Sequence, residues 1–206
     1  MKRKSIFLGT LILAVLFACT AFGAEYTADM ITTGPYGNTT GKLYVKGNLF
    51  RQDIAMQGQE QTILINEETG DTIVVMHAQK MYMEFLDMAD EEFQETMEVD
   101  IDSAEELLEE NPDMATAEDL GTETVNGYKC KVFKVTYKED LRGDATLWIS
   151  KKLETPIKIV TNTSEGTSTM EMKNIQEGSL ASSLFEIPQG YKKMEMPGFM
   201  GDMDTD

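Results

Sequence analysis

The chain has 206 residues, with 36 Asp and Glu against 18 Lys and Arg, a formal net charge of −18, and 41% hydrophobic residues. That balance suits one well-cored globular domain and excludes collagen-like, low-complexity and disulfide-stapled chains. So acidic a field repels phosphate, which excludes a nucleic-acid binder and a protein that docks on anionic lipid headgroups.

In chain order, residues 1–23 read as a cleaved signal peptide. Lys2, Arg3 and Lys4 precede an apolar run from Ile6 to Ala18, and Ala21-Phe22-Gly23 supplies small-x-small cleavage chemistry. The expected mature start is Ala24. The alternative is a lipoprotein anchored through Cys19, because Leu16-Phe17-Ala18-Cys19 resembles a bacterial lipobox. Removal of residues 1–23 leaves 15 Lys and Arg against 36 acids and leaves Cys130 as the one thiol, so no intramolecular disulfide can form. Cys130 lies in an apolar strand and is expected to be a small buried hydrophobe.

Residues 24–194 read as a single domain. Short β-type runs come first: Tyr26–Thr33, Thr39–Lys46, Asn48–Met56, Gln61–Asn66, Thr72–His77 and Lys80–Phe85, broken at Gly34-Pro35, Gly47-Asn48, Gly58 and Gly70-Asp71. The period then changes. Leu86, Ala89, Phe93 and Met97 form one helical stripe, acids fill the opposite face, and Ser103-Ala104-Glu105-Glu106 is a capping box before Leu107 and Leu108. Residues 86–118 are therefore expected to be an acidic helical insert. Strands resume at Leu120–Val125, Tyr128–Lys138, Asp144–Ser150, Pro156–Thr163 and Thr167–Ile175, with Asn126-Gly127 as a hairpin turn. The apolar parity of Tyr128–Lys138 switches between Val132 and Phe133, which calls for a bulge near Val132. Residues 195–206, rich in Met and Asp, are expected to be a tail.

The predicted fold is mainly β: a curved antiparallel sheet of about eleven strands forming an open half-barrel. Its apolar concave face would be covered by a short α-helical lid. The candidate cavity and lid residues are Leu43, Val45, Phe50, Leu86, Phe93, Met97, Leu107, Leu108 and Trp148.

Two sets of residues carry a resemblance. Gly41-Lys42-Leu43-Tyr44-Val45-Lys46 with Asn48-Leu49-Phe50, then Thr62–Asn66, Gly70 and Thr72–Met76, resemble the early hairpins of LolA-type periplasmic lipoprotein carriers, and Phe185-Glu186-Ile187-Pro188-Gln189-Gly190 resembles their closing segment. Trp148-Ile149-Ser150, Leu153 and Pro156-Ile157-Lys158 resemble the second half of a related bacterial family of unknown function. The resemblance implies a periplasmic carrier whose half-barrel shields acyl chains. Its partners would be apolar lipid or lipoprotein acyl chains, together with a membrane-anchored partner. The carriers place an arginine after the Val-Lys pair as a lid latch. Here Gly47 follows Lys46 and the nearest arginine is Arg51, so the latch does not carry over.

No catalytic pattern is present: no Gly-x-Ser-x-Gly, no His-Glu-x-x-His, no phosphate loop and no calcium loop. The one histidine, His77, sits at a strand end. The expectation is a non-enzymatic protein without a cofactor. An alternative function comes from 15 methionines, among them the pairs Met81/Met83, Met170/Met172 and Met194/Met196. At strand spacing such pairs present two thioethers to one side, which suits Cu(I), and the acidic clusters could assist. The same methionines also suit the adaptable lining of a lipid cavity.

Overall fold

The protein is described from a computed structural model, and the structure describes residues 24–35, 37–56, 58–85, 115–137 and 143–194. The expected signal segment, the lid residues Leu86, Phe93, Met97, Leu107 and Leu108, Met196 and the tail lie outside the described residues.

Twelve strands form one sheet. They are β1 (Glu25–Gly34), β2 (Gly37–Lys46), β3 (Leu49–Met56), β4 (Gln59–Asn66), β5 (Asp71–Met76), β6 (Met81–Phe85), β7 (Ala115–Val125), β8 (Tyr128–Tyr137), β9 (Asp144–Ser150), β10 (Thr155–Thr163), β11 (Gly166–Glu177) and β12 (Lys192–Lys193). The spatial order is β12-β6-β5-β4-β3-β2-β1-β11-β10-β9-β8-β7. Two antiparallel meanders, β1–β6 and β7–β11, are thus fused by the pairing of β1 with β11. Each tight link follows from its turn residues. Asn126 and Gly127 have φ of 49° and 87°, the left-handed pair that a two-residue hairpin turn requires.

Three features differ from the sequence expectation. First, the sheet has a twelfth strand: Lys192 and Lys193 pair parallel with Met81 and Tyr82. Two charged residues carry no alternating pattern to announce a strand. Second, residues 115–118, expected in the helical insert, belong to β7, where Ala115 pairs with Tyr137 and Glu118 with Lys134. Tertiary pairing overrides the weak helical preference of Ala and Glu there. Third, the irregularity expected near Val132 falls on the neighbouring strand. Asp119 faces Phe133 and Gly121 faces Val132, leaving Leu120 as the extra residue, 48% exposed. Among the described residues the one helix is a 3-10 turn at Ser182–Phe185.

The core forms two clusters. One joins Tyr26, Ala28, Leu43, Val45 and Phe50 of β1–β3 to Met172, Cys130, Leu153 and Ile157. The other comprises Phe133, Ala145, Leu147, Ile149 and Ile159, and Met170 packs against both. Val45 on β2 and Cys130 on β8 are five strands apart in the sheet order, yet they share a cluster. The β1–β3 members of that cluster, Tyr26, Ala28, Leu43, Val45 and Phe50, all lie on one face of the curved sheet, its inner face.

Bulges make this curvature. At β1–β11, Thr27 faces Gln176 and Asp29 faces Lys173, so Asn174 and Ile175 together oppose Ala28. Asn174 has φ of 50°, as such a bulge requires. At β9–β10, Ile149 faces Pro156 and Trp148 faces Lys158, so Ile157 is extra. The last paired residues of β10 and β11 are Lys158 and Glu171. Beyond them the Met172 carbonyl accepts a hydrogen bond from Asn126 Nδ2 at 2.7 Å, and the same amide nitrogen is 3.0 Å from Glu171 Oε1. The β7–β8 turn thus satisfies a carbonyl left without a ladder partner.

The outer face of β1–β6 is crossed by the C-terminal segment, residues 178–194. Leu180 N–H donates to Glu25 Oε2 at 2.6 Å, Lys46 Nζ donates to the Leu180 carbonyl at 2.6 Å, and Arg51 Nη1 donates to the Leu184 carbonyl at 2.8 Å. Tyr191 then meets His77, and Lys192 N–H and Met194 N–H donate to Lys80 and Tyr82 carbonyls. This strap lies on the side of Leu64 (4% exposed) and Val75 (0%), which register places opposite to the Leu43 face.

Candidate functional site

The inner face of the first meander is an apolar wall built by strand alternation. Register puts Leu43 beside Gln52, Gln52 beside Ile63, and Ile63 beside Val74. One pair further along, Met30, Gly41 and Ile54 line up, while Met76 pairs with Met81 and Val74 with Met83. Leu43, Val45 and Phe50 are buried at its base. Towards β5 and β6 the wall is half-buried at Ile63, Val74, Met76, Met81, Met83 and Phe85.

Of the candidate residues that the structure describes, Leu43, Val45 and Phe50 come together in one cluster on this face. Trp148 stands apart from the wall. Its ring packs against the edge of the same cluster, its Nε1–H donates to Glu123 Oε2 at 2.6 Å, and Lys158 Nζ sits 4.4 Å from its ring centroid. Its register partners are Val132 and Lys158.

The methionines also sort by face. Met81 and Met83 share the wall with Met76, while Met170 and Met172 join Met30, which pairs directly with Met172. Met194 lies on the strap, where its N–H binds the Tyr82 carbonyl at 2.8 Å. Met30 and Met76 escaped the Met-x-Met signal because their neighbours are cross-strand, and cross-strand pairing has no local sequence mark.

Gln61 and Thr72 share this face and are half-buried, and one polar residue of the wall, Gln52, is fully buried. Gln52 is 3% exposed, and its Oε1 has no hydrogen-bond partner among the described residues. Its Nε2 points to the Met30 sulfur at 3.8 Å. Thioether sulfur is only a weak acceptor. A buried unpaired amide oxygen costs about 1–3 kcal/mol, so the wall carries a polar group that packing alone does not reward. Strand period places Gln52 on the face of Phe50 and Ile54, opposite Arg51 and Asp53, but the lack of a partner for its Oε1 has no sequence mark.

The outer face carries the ionised groups. Asp53 accepts both Arg51 Nε at 2.9 Å and Arg51 Nη2 at 3.1 Å, and it accepts the Thr62 hydroxyl at 2.6 Å. Arg51 thus faces away from the wall and ties the strap. In the second meander Glu171 is held below the ordinary carboxyl range. Burial opposes this, but the hydrogen bonds of Asn126 and Lys173 outweigh it. Glu177 is lowered by Lys152 and by the Tyr128 hydroxyl. Among the described residues, no group of three or more His, Cys, Asp or Glu could hold a metal ion.

No curated protein matches the chain. An uncharacterised conserved protein from Thermus thermophilus has a similar fold, at 9% identity and TM-score 0.58, over 84% of this chain and 91% of that one. MucB, solved with MucA from Pseudomonas aeruginosa, is similar at 13% identity and TM-score 0.54, over 81% of this chain and 56% of its own, so this chain spans little more than half of MucB. A LolA superfamily protein from Nitrosomonas europaea also matches, at 11% identity over 84% of this chain and 92% of that one. Its TM-score is 0.34. The model of one family covers residues 27–155 and 154–191, most of the chain. The protein belongs to that family, described as a domain of unknown function, DUF4412.

Proposed function

We propose that this is an exported, periplasmic, non-enzymatic binding protein that holds an apolar ligand, an acyl chain or lipid, against the inner wall of its half-barrel. The observation that carries the reading is the half-buried run Ile63, Val74, Met83 and Phe85 on the inner face of the curved sheet. Apolar side chains in such a concavity favour an apolar occupant, at about 0.8 kcal/mol per buried methylene. Residues 86–110, with the stripe Leu86, Phe93 and Met97 and the edge Leu107 and Leu108, are proposed as its cover. The shared fold with MucB, a protein solved in complex with MucA(peri), supports a protein partner as well as a small ligand. Catalysis is disfavoured because His77, the one histidine, has both ring nitrogens engaged in holding the strap.

A second reading, a soft-metal site, draws on Met30 pairing with Met172, two residues from Met170 on the same face. Native mass spectrometry of protein purified from the exported fraction separates the two. Bound mass in the lipid range supports the first reading, and a bound copper ion supports the second. The same spectrum reads the mature N-terminus and any acylation at Cys19. In solution, a fluorescent fatty acid should bind, and Met83→Asp and Phe93→Asp should each weaken it several-fold. Failure of every apolar probe to bind would overturn the carrier reading.

A further inference from the structure

We infer that Gln52 is a specificity group for the ligand of the inner wall, and that this ligand carries a hydrogen-bond donor, a hydroxyl or an amide N–H, on an otherwise apolar chain. The inference rests on the binding reading above and names the class of ligand within it.

Leu43 and Ile63 flank Gln52 across the sheet, and Phe50 and Ile54 flank it along its own strand on the same face. None offers a side-chain donor. The orientation of the amide follows from Met30: a thioether accepts but cannot donate, so the NH2 group faces the sulfur and Oε1 faces away from it. Oε1 is then a buried acceptor without a partner, on a residue 3% exposed. Buried polar side chains in folded proteins are overwhelmingly paired. We place the ligand chain along this face of the wall, where Oε1 is the unpaired acceptor. An acceptor selects for a donor, and a site built around such a bond discriminates against the analogue that lacks it.

The test uses the mature protein and matched probes that displace a fluorescent fatty acid. Tetradecanoic acid is compared with its hydroxylated derivatives, the hydroxyl moved along the chain, and methyl tetradecanoate with N-methyl tetradecanamide. At least one donor-bearing probe should bind about tenfold more tightly than its donor-free twin, the scale of one neutral hydrogen bond. The pair that separates tells hydroxyl from N–H. Gln52→Met keeps the volume, should fold, and should bring the ratio to one without weakening the donor-free probe. Equal affinities within every wild-type pair, or a preference that survives Gln52→Met, would overturn the inference. The wild-type comparison decides alone if the variant does not fold. Chains that bind without preference sink this inference only, whereas no binding by any probe sinks the carrier reading and this with it.

Discussion

His77 and Tyr191, 114 residues apart, meet edge-on with ring centroids 5.7 Å apart and an Nδ1 to hydroxyl distance of 2.7 Å. The polarity of this contact is fixed from the other end. Asp53 is an acceptor, so the Thr62 hydroxyl must donate to it, and Thr62 must then accept from His77 Nε2 at 2.9 Å. His77 Nδ1 is left as the acceptor of the Tyr191 O–H. A continuous relay, Tyr191 to His77 to Thr62 to Asp53, therefore fastens the strap to β3, β4 and the β5–β6 turn, and Arg51 closes it on the Leu184 carbonyl.

Tyr191→Phe should remove the last donor of that relay and keep the ring contact. The expected cost is about 1 kcal/mol of unfolding free energy, read from urea denaturation. The strap should also be cut faster by a protease after residue 185, while cleavage within β1–β4 stays slow. An unchanged urea midpoint and cleavage rate would mean that the hydroxyl does not hold the strap.

Gly41 faces the inner wall where β2 and β3 approach closely. A Cβ built there would lie 2.8 Å from the Asp53 carbonyl and 2.9 Å from Ile54 Cγ2. The carbonyl belongs to the backbone and cannot turn aside. Gly41→Ala should destabilise the fold by about 1–3 kcal/mol, seen as a lowered Tm. Gly58→Ala offers a contrast: a Cβ there meets nothing within 4 Å, so its cost comes only from φ of 79°.

The fold was legible where alternation was strong. Leu43 and Val45 against Lys42, Tyr44 and Lys46 marked β2 and its inner face, and Asn126-Gly127 marked the β7–β8 turn. What escaped depended on distant partners. Lys192 and Lys193 become a strand only because the edge of β6 is open to them, and Leu64 and Val75 are buried on the outer face only because the strap crosses it. Of the candidate residues, Leu43, Val45 and Phe50 could be grouped from strand alternation, and they do share one buried cluster. The unpaired state of Gln52 was not legible, since it depends on its distant cross-strand neighbours Leu43 and Ile63, which offer no donor. Trp148, an expected lining residue, is drawn instead to Glu123 and Lys158 by its indole N–H and its ring.

Cys130 is a free thiol, 0% exposed, as the sequence suggested. Burial is the main force pushing its thiol up; a backbone bond of Val125 opposes this, and Glu123 adds to it. It should react with a thiol reagent only as fast as the sheet opens, and Cys130→Ala should cost about 1 kcal/mol. Stoichiometric labelling of the native protein within seconds would contradict that burial.

Tyr128 and Glu177 give the stability a pH dependence of defined sign. Burial, then the hydrogen bond to Glu177 at 2.9 Å, raise the Tyr128 hydroxyl to about 12 from an ordinary value near 10. Above pH 10 the unfolded chain loses this proton while the folded chain keeps it, so the contribution of Tyr128 falls as pH rises from about 10 through about 12. Glu177 behaves oppositely. Lys152, then Tyr128, lower its carboxyl, so its contribution is full above the ordinary glutamate range and is lost as pH falls through its folded value. Tyr128→Phe should therefore be less stable than wild type near neutrality. That gap should close between pH 10 and 12, and it should narrow at acid pH as Glu177 gains a proton. Denaturant midpoints of the two proteins across this range, with tyrosine absorbance at 295 nm, are the measurement. A gap that stays constant from pH 9 to 12 would show that the pair does not hold the proton on Tyr128.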